Sequence, residues 1–315
     1  MTFISLKVTM IFQVLVCFGI IASTVSVTRS VVQTNLANIK DHLEHLQRPP
    51  EEFDWEWTPD VDTNDATELF FRNKKFQGWV VSNKEHRYNH SKTVLEQLGI
   101  LPNQYIPEHY QSQVIQRAME DYHAGNQKYL TDKYKKVFSN RLAFTDLFQK
   151  FVNDTSADVG SWRFFFEDDV ALHPFLTQSL ARRLLARGME VAAADGILYL
   201  GICGPSKSRE KVVLSNPGPV EATRCSGACT HAFGLTKWKT GGFLTYMDKL
   251  RMPEDANVTS MYFDQLMQAY GEQVHKIWVL GSNLVSPQEK NHIGMVFQDR
   301  TNYPSVINTR EPSLR

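Results

Sequence analysis

The chain has 315 residues, 42% of them hydrophobic and 22% charged, with 34 basic and 34 acidic side chains. That length suffices for one large globular domain or two closely joined ones, and the composition is not that of a chain disordered throughout. A formal net charge of zero supplies no broad basic field, so there is no basis for a nucleic-acid partner.

Residues 8–27 are mostly apolar, and no charge falls between Lys7 and Arg29. About twenty such residues rise roughly 30 Å as a helix, the thickness of a hydrocarbon core. Lys7 and the amino terminus on the short side favour a cytosolic N-terminus. The segment therefore reads as a signal anchor: a cytosolic tail at 1–7, a transmembrane helix at 8–27, and a single-pass type II protein of the Golgi or endoplasmic reticulum membrane. Ala22, Ser23 and Thr24 near a cleavage point support the competing reading, a cleaved signal peptide. Both readings deliver the remaining chain to the secretory lumen. Asn89, Asn153 and Asn257 each open an Asn-X-Ser/Thr tripeptide without proline, as N-glycosylation acceptors do. Of the four cysteines, Cys17 lies in the apolar segment. An oxidising lumen allows one disulfide among Cys203, Cys225 and Cys229, expected from Cys203 to one of the other two. Cys225 and Cys229 have no second cysteine pair with which to complete a tetrahedral zinc site.

Residues 28–75 read as a stem. A short helical stretch around Val32–Leu46 precedes Pro49-Pro50 and an acidic run from Glu51 to Glu68, the composition of a solvated linker. Phe53, Trp55 and Trp57 hint that part of it docks on the domain. A lumenal domain is expected over 76–315. It opens with a strand at 78–81 and a helix at 91–98 that stops at Gly99. Helix-leaning sequence follows at 134–151, where Lys133, Lys135 and Lys136 read as a solvated face. The aromatic run 162–166 predicts a buried strand, and Pro174 opens a helix from Phe175 to about Ala186. Further strands are expected at 197–200, 230–236 and 277–280. Alternating strands and helices predict an α/β fold with a mostly parallel sheet.

The most informative stretch is Phe164-Phe165-Phe166-Glu167-Asp168-Asp169-Val170. Three consecutive carboxylates repel one another, so gathering them at a buried strand end calls for a counterion. Magnesium or manganese suits one or two carboxylates plus substrate phosphates, and ligands bind at the carboxyl ends of strands in open α/β sheets. In strand geometry Glu167 and Asp169 point one way and Asp168 the other. An exposed acidic cap for the following helix is the alternative.

These residues, with Pro174 and Leu200-Gly201 after them, resemble glycosyltransferase family 25, which includes lipopolysaccharide glycosyltransferases and collagen galactosyltransferases. Gly227–Thr236 is similar to the family's small-residue strand, Phe263-Asp264-Gln265-Leu266 to its late aspartate before a helix, and Asn83 with Arg87 to its opening motif. The resemblance spans about residues 78–300, and its specific element is Glu-Asp-Asp. This chain departs from the family at Ser139-Asn140, where the family carries Ser-His, and at Lys84, where it carries leucine.

The resemblance implies a Rossmann-type GT-A domain. It further implies a UDP-sugar donor, Mn2+ (or Mg2+), a glycan or glycoprotein acceptor, and an inverting hexosyl transfer such as galactose transfer. Glu167 and Asp169 are then metal ligands, with Asn83, Arg87, Glu167 and Asp168 binding the donor. Asp264 is the candidate catalytic base, an ordinary helix cap being its plainer role. His292 is a candidate third metal ligand, since neutral imidazole suits manganese. His231 either lines the acceptor pocket or packs near the disulfide. Arg87 offers a fork for a donor phosphate or makes a salt bridge. Two rival functions remain: a hydrolase or phosphatase using the same carboxylates on a metal, and a non-catalytic sugar-binding or chaperone-like protein on a transferase fold.

Overall fold

The run Trp162–Glu167 (β3) explains the architecture best. Along a strand successive side chains alternate between faces, so Phe164 and Phe166 enter one hydrophobic core while Phe165 enters another. A strand that is apolar on both faces must be covered on both. The computed structural model does this with helices on either side of one sheet. It describes residues 64–123, 131–206, 210–214, 220–249, 262–274 and 277–304. The expected membrane segment 8–27, the stem to residue 63, Cys17 and Asn257 lie outside those residues. Among the described residues no helix is long and apolar enough to cross a membrane.

The chain runs from α1 (Asn64–Lys74) through β1 (Gln77–Val81), α2 (Glu85–Gln97), β2 (Leu101–Tyr105), α3 (Gln113–His123) and α4 (Asp132–Asn153) to β3. It continues with β4 (Val170–Leu172), α5 (Gln178–Ala192), β5 (Ile197–Cys203), β6 (Glu210–Val213), β7 (Glu221–Arg224) and β8 (Ala228–Thr236). Last come α6 (Lys237–Lys249), α7 (Phe263–Val274), β9 (Trp278–Leu280), β10 (His292–Gly294) and β11 (Val296–Gln298). The sheet order is β2-β1-β3-β8-β5-β9-β7-β6, with β10 also on β5; β4 and β11 form a separate ribbon.

The sheet is mixed. β1 pairs in parallel with both β2 and β3, and β5 with β9, but β8 runs antiparallel between β3 and β5. Four of the expected strands gain residues: β1 starts at Gln77, β3 ends at Glu167, β5 runs on to Cys203, and β8 opens at Ala228. One core joins α1, α2 and α5 to the sheet through Phe71, Leu95 and Leu185. The other seats α4, α6 and α7 through Phe148, Phe243 and Met267, with Phe144 stacked on Phe263 at 4.4 Å between ring centroids.

Two boundaries differ from expectation for local reasons. Residues 64–74, expected as the end of a solvated linker, form α1, because Phe70 and Phe71 are buried with Phe76 in the first core. Helix α5 starts at Gln178 rather than beside Pro174, since Thr177 caps it by accepting from the Leu180 amide at 3.3 Å.

Gly201, within β5, lets the ribbon approach. A methyl group there would sit 1.9 Å from the Val296 carbonyl oxygen and 2.4 Å from Nε2 of His231. This close approach gives Leu200-Gly201 a physical role, because it seats β11 against β5 and β8.

Candidate active site

Strand β1 has β2 on one side and β3 on the other, both parallel to it. The chain thus leaves β1 toward opposite sides, and the carboxyl ends of such strands frame a crevice where ligands bind in open α/β sheets. A cavity of about 380 Å³ opens there. Asn83, Arg87, Glu167, Asp168, Asp169 and Asp264, picked from the sequence for donor, metal or catalytic roles, all line it.

The three consecutive acids have different fates. Strand β3 ends at Glu167, and Asp168 and Asp169 form the turn into β4. Asp168 turns to the protein: its Oδ1 accepts from Nε of Arg87 at 2.8 Å and pairs with NH2 at 2.7 Å, while its Oδ2 accepts from the Ser82 hydroxyl at 2.7 Å. Arg87 is itself buried, donates to the Pro304 carbonyl at 3.1 Å, and lies under the Tyr303 ring. Both residues, expected to bind the donor, line the cavity while engaged with each other. The guanidinium forms a buried ion pair that fixes Asp168.

Glu167 and Asp169 are not compensated in this way. Glu167 accepts from the Gln298 side-chain amide at 2.8 Å. Burial, then the like charges of Asp169, Asp264 and Asp168, hold its carboxyl well above the usual carboxylate range. Asp169 is 4% exposed. Burial raises its carboxyl too, against the pull of Arg87, whose NH2 stands 3.7 Å away. Among the described residues its Oδ1 is buried with no hydrogen-bond partner. A buried, unsatisfied carboxylate oxygen among like charges is costly, and a hard divalent cation is the ligand that relieves it. Glu167 and Asp169 supply oxygen donors of the kind that a hard divalent ion takes.

Asp264 sits in the first turn of α7 rather than ahead of it, and its Oδ1 accepts from the Gln265 amide at 2.9 Å. It faces Glu167 closely enough to help raise that carboxyl. Asn83 is exposed on the rim. Lys133 and Lys136 also line the cavity, Lys136 lying 4.9 Å over the Tyr110 ring; they were expected on a purely solvated face.

The histidines fall elsewhere. His292 is not among the cavity-lining residues; it is buried in β10 opposite Cys203, with Nε2 2.8 Å from Glu289. Its expected place in the carboxylate metal shell is therefore corrected, because pairing of β10 with β5 fixes it beside the disulfide. His231 is fully buried, with Nε2 bonding the Val296 carbonyl at 3.2 Å, and is a packing residue rather than an acceptor contact. Burial pushes its pKa down to about 3, so it stays neutral.

The disulfide joins Cys203 to Cys229, and Cys225 remains a buried free thiol. Asn89 and Asn153 are exposed, Asn89 within α2 and Asn153 at the end of α4.

Several site residues escaped the sequence reading. Ser82 follows β1 and holds Asp168. Gln298 ends β11 and holds Glu167, while Arg300 donates to the side-chain Oε1 of Gln298 at 2.6 Å and lines the cavity. The Asp299 amide donates to the Asp169 carbonyl at 2.6 Å, and Tyr303 stacks on His90 at 4.2 Å. These contacts clamp the segment after β11 across the carboxylates. No signal within residues 298–304 alone could have assigned it there.

In comparisons with known proteins, the chain matches no protein-family model and no curated protein.

Proposed function

We propose that this protein is a metal-dependent glycosyltransferase of GT-A type. It moves a hexose such as galactose from a UDP-sugar to a hydroxyl of a glycan or glycoprotein acceptor, with inversion, at a membrane of the secretory pathway. The observation that carries the reading is the buried, unpartnered Oδ1 of Asp169 beside Glu167, in a cavity at the carboxyl ends of β1 and β3. The resemblance of Phe166–Val170, Leu200-Gly201 and Asp264 to glycosyltransferase family 25 supplies the reaction class.

Glu167 and Asp169 hold the ion, which when bound neutralises charge on a departing diphosphate. The remaining work falls to the chain's own side chains. Arg87 and Ser82 fix the Asp168 carboxylate and so the turn that presents its neighbours. Gln298 orients Glu167. Asp264 keeps Oδ2 available, its Oδ1 being engaged by the Gln265 amide. We assign Oδ2 as the atom that takes the proton of the acceptor hydroxyl, the base an inverting displacement requires.

The test is UDP release and sugar transfer from a panel of UDP-sugars, with manganese, with chelator, and with Asp169→Asn. Manganese-dependent release that falls roughly a hundredfold or more in the variant supports the reading. Well-folded wild-type protein that neither binds nor turns over any donor sinks it. Metal-dependent donor binding without turnover moves the assignment to a sugar-binding protein on the same fold.

A further inference from the structure

A second group of metal-ligating atoms stands outside the carboxylate cluster. The Sγ atoms of Cys203 and Cys229 and one ring nitrogen of His292 all lie within 4.8 Å of one another. While the sulfurs are joined they offer no thiolate, and the thiolate is the form that ligates a metal. Once separated they become two soft ligands beside an imidazole. Zinc takes such sets in tetrahedral geometry, with Zn–S of about 2.3 Å and Zn–N of about 2.0–2.1 Å. Ligand atoms around one such ion then lie roughly 3.3–3.8 Å apart, so the two sulfurs move apart once their bond is broken, while the imidazole already stands within 4.8 Å of both.

We propose that Cys203, Cys229 and His292 form a redox-gated zinc site, filled when the disulfide is reduced and emptied when it re-forms. Three features support it besides proximity. Cys203 and His292 face each other in the register of β5 and β10, so the sheet itself holds two of the ligands together. Glu289 stands 2.8 Å from Nε2 of His292, which assigns the metal to Nδ1 in the carboxylate–histidine pairing that orients metal-bound imidazoles. Cys203 and His292 are buried, but Cys229 is half-buried and lines the cavity, which gives both a reductant and an ion a route in.

The chemistry balances. A dithiol reductant breaks the Cys203–Cys229 bond, is oxidised to its own cyclic disulfide, and leaves two protein thiols. Zinc uptake then releases their two protons to solvent. In the reverse direction a disulfide-bearing oxidant removes two electrons from the thiolates, the S–S bond re-forms, and the ion departs. Glu289 also pairs through its other oxygen with Arg300 at 3.2 Å, and Arg300 and Cys229 both line the carboxylate cavity. None of the three ligands is a carboxylate of that cavity, so the site is distinct from it in chemistry.

The test uses the full chain, reduced with a phosphine that leaves zinc unchelated, and cobalt(II) as the spectroscopic probe. The expected result is one ion per reduced chain, with thiolate charge-transfer absorption and tetrahedral visible bands, and loss of both on reoxidation. His292→Ala weakens the ion by ~10-fold or more, whereas Cys225→Ser leaves it unchanged. Cys203→Ser and Cys229→Ser each lower the charge-transfer intensity by about half or abolish the site. Should either serine variant misfold, the number of thiolates is read from the wild-type intensity alone. No thiolate–cobalt band in the reduced chain overturns the proposal. So does a band insensitive to His292→Ala, or one that Cys225→Ser removes. Ion binding by the carboxylates gives no sulfur charge transfer, so the two sites are told apart by the same spectrum.

Discussion

Two buried aspartates at opposite ends of the sheet show how differently the fold treats the same side chain. Asp195 lies at the amino end of β5 and is 6% exposed. Its Oδ2 accepts from the Arg224 guanidinium and from the indole N–H of Trp278, and Arg224 in turn packs over the Trp278 ring. Asp169, at the carboxyl end of β3, is buried to the same degree but has an unpartnered oxygen and acidic neighbours. Burial alone therefore says little about role. Asp195 has its charge closely matched within the fold, whereas Asp169 keeps only Arg87 at 3.7 Å and has one buried oxygen without a hydrogen-bond partner among the described residues.

That contrast can be broken by substitution. Asp195→Ala strands the Trp278 N–H and leaves the half-buried Arg224 guanidinium with Glu210 alone, and is expected to cost about 2–4 kcal/mol of stability. Thermal unfolding should then drop by roughly 5–10 °C. Asp169→Asn, equally buried, removes a repelling charge without changing shape, and its melting temperature should equal or exceed that of the wild type. Similar losses in the two variants would end the distinction. Gly201→Ala comes next: the added methyl collides with a backbone carbonyl, for which overpacking costs about 1–3 kcal/mol. Because the clash displaces β11, the variant should also lose affinity for manganese, an effect that urea unfolding and metal titration together resolve.

The smallest effect concerns pH. His231 is neutral in the fold down to about pH 3, but an unfolded histidine takes up a proton near pH 6.5. Its contribution to stability is therefore complete above about pH 6.5 and is lost as pH falls from there toward 3. Glu167 and Asp169 act oppositely, since raised carboxyls cost stability when ionised and stop doing so as acid neutralises them. In His231→Gln the slope of unfolding free energy between pH 6 and 4 should shrink by about 1.4 kcal/mol per pH unit, one proton's worth. An unchanged slope would mean that the buried imidazole already charges within the folded protein.

The sequence was most legible where a local run carried the whole signal. Phe164-Phe165-Phe166 is apolar on both faces and could only be an inner strand, and the acids after it are contiguous, so both were visible without knowing any partner. Strands β4, β10 and β11 span three residues each, too short for any periodicity, and Pro102 in β2 hides an edge strand. Gln298 reached the site only through pairing of β11 with β4, and His292 was drawn to the disulfide by pairing of β10 with β5. The choice of Cys229 over Cys225 likewise follows from register, which places Cys203 opposite Ala228. Arg87 was recognised as a site residue, but whether its fork faced ligand or protein depended on where Asp168 turned. Partners distant in sequence, rather than the residues themselves, were what one-dimensional reading could not supply.

The placement of β8 and β11 also sets a clock. β8 is inserted between β3 and β5 although it is made after both, and Glu167 meets Gln298 only 131 residues further along the chain. At about 5–20 residues per second, roughly 7–26 s of synthesis separate the two. Until β8 has been made a strand carrying three phenylalanines has one open edge, and for the whole interval Glu167 lacks its amide partner. The nascent chain is thus most exposed to wrong pairing at the strand on which its chemistry depends, and a helper that shields that edge should raise the yield of folded protein more than one acting after release.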